Sequence, residues 1–214
     1  MKLLELTEDK KLTNGSEIYK WVIDHAYDSE SDGQVTNDNI WQKIKVFPTG
    51  VFVEGSLGID TDDGEIPFKF TRAGGNFSLL VNTSKMAPKT MKGCPNIVTD
   101  NFTIEGDLPS FEGSPKSVGG SYYCLEFTSL KGIEKHVDKI GEALVIRRVK
   151  GGLLSVILVK SLGSIEADDP EDEELDTACK IVNKYLGKGR AGVLDAQKEL
   201  EDYEDLDLSK FAKL

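Results

Sequence analysis

The sequence predicts an α+β protein whose body is a short parallel β-solenoid, closed by an N-terminal cap and a C-terminal helical cap. Three observations carry this prediction: a segment that recurs at an offset of 20 residues, apolar and polar residues that alternate within each recurrence, and an acidic, helically patterned tail. At 214 residues the chain is long enough to bury a core without staples.

The cap comes first, over residues 1–45. Ser16-Glu17-Ile18-Tyr19-Lys20-Trp21-Val22-Ile23 begins with a capping serine and places Ile18, Trp21, Val22 and His25 near one helical face. Residues 28–38 are polar and read as a loop, and His25 reads as a packing residue. Met1–Thr13 mixes Lys and Glu with Leu and lacks the apolar run of a targeting segment.

The repeats occupy residues 46–162. Lys92-Gly93-Cys94-Pro95-Asn96-Ile97-Val98 leads to Phe102, and Glu112-Gly113-Ser114-Pro115-Lys116-Ser117-Val118 leads to Tyr122, with Gly, Pro, Val and the aromatic 20 residues apart. A looser copy starts at Leu130-Lys131-Gly132, and an earlier one runs from Ile66-Pro67-Phe68 to Gly74-Gly75-Asn76-Phe77. The glycine before Cys-Pro or Ser-Pro suits a turn that needs positive φ, and proline then sets φ and withdraws a donor at the corner. The valine after it points inward, and the Gly-Gly step lets the chain turn again without a side-chain clash. Phe77, Leu79 and Val81 share one strand face, as do Phe102 with Ile104 and Tyr122 with Cys124. Stacked coils bury that face continuously, so Phe77, Phe102 and Tyr122 form an internal ladder. In the third copy the alternation allows either Ala143 and Val145 or Leu144 and Ile146 to be internal. Leu153–Lys160 reads as a buried strand and the last rung.

The tail spans residues 163–214. From Ser161 onward there are 15 Asp or Glu against 7 Lys or Arg, which places −8 of the net −11 there. Eight carboxylates crowd Glu166–Asp176 around Pro170, a possible first helical residue, and acidic groups favour the first turn of a helix. That helix runs to about Leu186, burying Leu175, Ala178, Cys179, Val182 and Tyr185, and Gly187 ends it. A second, from about Ala191, buries Val193, Leu194, part of Gln197, and Leu200. Leu208, Phe211 and Leu214 dock as a final turn.

The stretch from Phe111-Glu112-Gly113-Ser114-Pro115 to Gly119-Gly120-Ser121-Tyr122-Tyr123-Cys124, with Thr128-Ser129-Leu130-Lys131-Gly132, resembles a repeat of tailed-bacteriophage proteins of unassigned function. Gly50–Leu57 and Glu65–Phe70 are similar to the capping turn that precedes such repeats, and the C-terminal helices are similar to the tail that closes them. The resemblance covers about residues 45–214 and implies a short leucine-rich-repeat-like parallel β-solenoid of viral origin. It implies no reaction, because it supplies no catalytic residues. The chain departs from the pattern after the strands, where Glu105-Gly106-Asp107 or Glu126 replaces a polar Asn step.

No catalytic site, metal site or cofactor is expected. His25 and His136 lie in different units without ligands at metal spacing, and Gly187-Lys188-Gly189-Arg190 lacks the residues of a phosphate loop. Asp60–Glu65 has alternating oxygen ligands but no bidentate end, so it reads as a solvated turn. The three cysteines, Cys94, Cys124 and Cys179, form no disulfide framework and suit a reduced cytoplasm, the host's if the chain is viral. The longest mainly apolar stretch, Leu153–Val159, broken only by Ser155, is too short to cross a bilayer. Arg147-Arg148-Val149-Lys150 is the only basic cluster and reads as a strand end, so neither nucleic acid nor membrane is an expected partner. The leading expectation is a monomeric, non-enzymatic module that binds a host or phage protein through the outward residues Ser78, Leu80, Thr103 and Tyr123. The alternatives are an acidic tail that mimics nucleic acid to inhibit a host enzyme, an enzyme of unknown chemistry, and a phage assembly component.

Overall fold

The computed structural model describes residues 14–27, 39–61, 65–81, 90–106, 108–127, 129–169 and 171–213. Of the segments expected above, Met1–Thr13, the 28–38 loop, Asp62–Gly64, Asp107, Thr128, Pro170 and Leu214 lie outside them.

The cap helix α1 spans Gly15–His25. Its N-cap is Asn14 rather than Ser16: the Asn14 side chain accepts from the Ser16 amide, because the cap sits where the backbone is still extended. Ile18 and Val22 enter the core, and His25 stacks on Trp21 with ring centroids 4.0 Å apart. Strand β1 (Ala26–Tyr27), the short helix α2 (Ile40–Lys43) and β2 (Ile44–Phe47) follow.

The body is a parallel β-solenoid. One ladder contains β3 (Gly50–Val53), β5 (Phe70–Ala73), β7 (Ile97–Val98) and β9 (Ser117–Val118). The other contains β4 (Leu57–Thr61), β6 (Phe77–Val81), β8 (Phe102–Glu105) and β10 (Tyr122–Cys124). Both ladders run into β11 (Lys139–Ile146), which pairs with β9 through Ile140 and with β10 through Leu144. β12 (Ser161–Ala167) lies parallel to β11 as the last layer. At the other end β1 and β2 add antiparallel to β4 and β3 and close the first layer. The stretch similar to a capping turn, Gly50–Leu57, is therefore a layer of the stack in its own right.

The ladder of core side chains is continuous. Leu57, Phe77, Phe102, Tyr122, Leu144 and Ile165 are register partners in succession, and none is more than 1 % exposed. Phe77 and Phe102 stack with centroids 6.2 Å apart, and Phe102 meets Tyr122 edge-on at 4.8 Å. In the third copy it is Leu144 and Ile146 that join the columns of Tyr122 and Cys124. Each buried aromatic or aliphatic side chain contributes about 1.5–3 kcal/mol relative to exposure. The Tyr122 hydroxyl finds the Ser114 hydroxyl at 2.9 Å, so the one polar atom in the aromatic ladder is not orphaned.

Both glycine positions have a geometric cause. Gly93 and Gly113 adopt φ of +91° and +84°, and the same corner continues through Gly132 and Gly152 at +82° and +73°. At the Gly-Gly corner φ is ordinary and space is the limit: a Cβ on Gly119 would lie 1.8 Å from the Thr99 carbonyl oxygen.

Leu153–Lys160 is not a strand: Leu153–Leu158 forms a 3₁₀ helix after the left-handed Gly152. Its residues 153–157 are buried without a break, Ser155 among them, because the solenoid interior lies on one side and α4 (Gly189–Glu201) packs on the other. The last rung is β12, a more polar segment that crosses the 162/163 boundary drawn from composition. Leu194, expected to be buried, is 67 % exposed: Val193, Ala196 and Leu200 share the buried face, and Leu194 lies about a quarter-turn off it.

The helix α3 (Glu173–Asn183) starts three residues beyond Pro170, with Asp172 as its cap accepting from the Leu175 amide at 3.0 Å. It buries Leu175, Ala178, Cys179, Ile181 and Val182 against the last layer, while Tyr185 is half-buried beyond its end. Gly187 and Gly189 turn the chain with φ of +74° and +60°, and Leu208 and Phe211 dock after α4. Asn183 terminates the sheet: its Oδ1 accepts from the Ile165 amide at 2.8 Å, and its Nδ2 donates to the Ile165 carbonyl at 2.9 Å. One side chain thus occupies the edge at the point where another strand would pair. Asn183→Ala should lower stability by about 1–3 kcal/mol, since both groups of Ile165 lose their partner. An unchanged urea midpoint would show that this edge contact contributes nothing.

Candidate functional site

The outward residues of the β4-β6-β8-β10 ladder form two columns. Ser78, Thr103 and Tyr123 are consecutive register partners, followed by Val145 and Glu166. Leu80 stands in the neighbouring column, between Asp60 and Glu105. All four residues expected from the sequence are half-buried, and the alternation that buries Phe77, Phe102 and Tyr122 turns these four outward. At about 4.8 Å per layer, Ser78 to Tyr123 covers roughly 10 Å along the axis.

The far end of this face is tied down by charge pairs. Arg147 Nε donates to Asp168 at 2.6 Å, and Arg148 pairs with Glu126 at 2.8 Å. Arg148 has φ of +58°, placing it in a turn immediately after β11. Two members of the basic cluster are thus committed to carboxylates of adjoining layers, as a strand end with solvated charges requires.

A polar column that sequence reasoning missed runs beside the core. Ser56 Oγ accepts from the Asn76 amide, Asn76 Oδ1 from the Asn101 amide, and Asn101 Oδ1 from the Ser121 amide, at 3.0, 3.0 and 2.8 Å. The signal was a small polar residue immediately before each ladder residue Leu57, Phe77, Phe102 and Tyr122. Its chemistry is structural, for each side chain satisfies an amide at the corner where the ladder changes direction.

The other chemical groups are held in structural roles. Cys94, Cys124 and Cys179 are free and buried, and burial raises each thiol above its ordinary range, Cys179 to about 12. A thiol so placed is protonated and a poor nucleophile at neutral pH. His25 Nδ1 lies 2.8 Å from the Trp21 carbonyl. Among the described residues no group of three His, Cys, Asp or Glu is placed to hold a metal ion, and no helix is long and apolar enough to cross a membrane.

The tail has an open depression of about 440 Å³ lined by Tyr185, Asp195, Lys198, Glu199, Asp202 and Tyr203 among others. Glu199 accepts from Lys184 and from the Tyr185 hydroxyl, which hold its carboxyl below the usual range. A carboxylate shifted in that direction is a stable anion rather than a proton donor. Other tail carboxylates are also engaged: Asp172 caps α3, Asp176 pairs with Lys180, and Glu174 pairs with Lys210.

Comparison of the chain with protein-family models, curated proteins and solved structures finds no match.

Proposed function

We propose that this chain is a non-enzymatic protein-binding module that contacts its partner through the outward face of Ser78, Leu80, Thr103 and Tyr123. The observation that carries this reading is the register: Ser78, Thr103 and Tyr123 stand in one column on consecutive layers, with Leu80 beside them. A rigid ladder presents such side chains at low entropic cost, and an outward tyrosine is a favoured anchor in an interface. The repeat's resemblance to tailed-phage proteins supports a host protein as partner, met in the host cytoplasm during takeover or counter-defence. The carboxylates that cap and pair within the tail favour a structural cap there over a nucleic-acid mimic.

An affinity pull-down from bacterial lysate, with Tyr123→Ala as the comparison, tests this. The variant should lose a captured protein at least about 30-fold, the effect of a hot-spot residue of roughly 2 kcal/mol. Its stability should fall by no more than about 1 kcal/mol, as for a side chain outside the core. Capture that is equal for both proteins would remove this face as the binding surface.

A further inference from the structure

The second ladder carries a surface of opposite charge. Its outward column runs Phe52, Arg72, Ile97, Ser117, Lys139 and Ser161 in successive register. Immediately before it on the last three layers stand Lys116, Asp138 and Lys160, each one residue ahead of a column member. Arg72, Lys116, Lys139 and Lys160 against Asp138 leave this strip with a charge of +3, in a chain whose net charge is −11. Lys160 is occupied with Asp138 at 2.7 Å. Arg72, Lys116 and Lys139 are exposed and make no salt bridge among the described residues; Arg72 reaches only the Thr99 hydroxyl, at 3.4 Å. Ile97, one layer from Arg72, is 45 % exposed. Beyond the column the corner is bare at Gly119, Gly141 and Gly163, which leaves the strip flat. Asp100 and Glu142 lie past that corner, and Glu142 accepts from Ser121.

We infer that this strip docks an acidic, partly apolar segment of a protein partner, on a face separate from the Tyr123 column. Charge decides the sign of the partner, and three features decide its class. The rest of the chain is more negative than the whole, so a long polyanion or an anionic bilayer meets repulsion on either side of the strip, whereas a short peptide does not. Asp138 interrupts the cations, so a continuous phosphate backbone would set a charge against it, whereas a peptide can set a neutral residue there. Ile97 offers an apolar contact between Arg72 and Lys139 that a sugar-phosphate chain does not use. Arg72 and Lys139 are three layers apart, about 14 Å, which matches two carboxylates four residues apart in an extended segment with an apolar residue between them.

The test uses the full chain and a fluorescein-labelled peptide with the sequence of residues 201–207, which has five carboxylates in seven residues around Tyr203 and Leu206. Fluorescence anisotropy at low salt should show binding that weakens as salt is added. Lys116→Glu with Lys139→Glu should weaken it at least tenfold, and Tyr123→Ala should leave it unchanged. The same double variant should keep its far-ultraviolet circular dichroism and melting profile, since both side chains are exposed. A peptide that fails to bind, or binds the double variant equally, overturns the inference. So does tighter binding of labelled single-stranded DNA, or of phosphatidylserine vesicles, through the same two lysines.

Discussion

Phe102→Ala is expected to destabilise the protein by about 3–5 kcal/mol in equilibrium denaturation, among the largest effects a single core truncation produces. Phe102 is completely buried between Phe77 and Tyr122, so its removal opens a cavity between two layers that the backbone hydrogen bonds keep at a fixed spacing. The walls cannot collapse into that space without breaking the ladder, so the cavity cost is added to the lost transfer energy. Thr103→Ala, one residue away and half-buried on the outward face, should cost about 1 kcal/mol or less. The comparison tests the register directly, because a shift of one residue exchanges every side chain between the faces. Thr103→Ala costing more than Phe102→Ala would reverse the assignment of inside and outside.

Gly119→Ala should cost about 3 kcal/mol, and the cause is different. The added methyl would meet the Thr99 carbonyl oxygen at 1.8 Å, and that carbonyl belongs to the backbone of the adjacent layer and cannot swing aside. Gly187→Ala is the control. Gly187 has φ of +74° but nothing within 4 Å of the new methyl, so only the left-handed conformation is penalised, by about 1–2 kcal/mol. The order of the two midpoints separates crowding from conformation. Equal losses would mean that successive layers shift to admit the methyl, so that their close approach is not what retains glycine at this corner.

The same close approach of layers makes the stack legible in the sequence. A solenoid repeats the same local problem in each layer, and the answers recur in the residues: positive φ at Gly93 and Gly113, proline at the next corner, and inward Val98 and Val118. Alternation over Phe77–Val81 and Phe102–Glu105 distinguishes the faces, so the outward positions Ser78, Leu80, Thr103 and Tyr123 follow from the same pattern. The choice between Ala143 with Val145 and Leu144 with Ile146 was not legible, since both alternations are apolar and only pairing with Tyr122 and Cys124 selects the second.

The sequence by itself determined the repeated coil, the inner ladder and the helical tail, because these depend on periodicities of two and 3.6 residues and on local turn chemistry. Tertiary structure alone decided the rest. It made Leu153–Leu158 a 3₁₀ turn and not a strand, since a stretch that is apolar apart from Ser155 reports burial on all sides without saying which backbone conformation is buried. It gave Asn183 the task of occupying the edge at Ile165, a contact between residues 18 apart in sequence that no local pattern marks. It also gathered Arg72, Lys116 and Lys139 from three separate layers onto one face. Spread along the chain they are isolated cations in an acidic protein, and only the stacking of successive coils turns them into a charged strip.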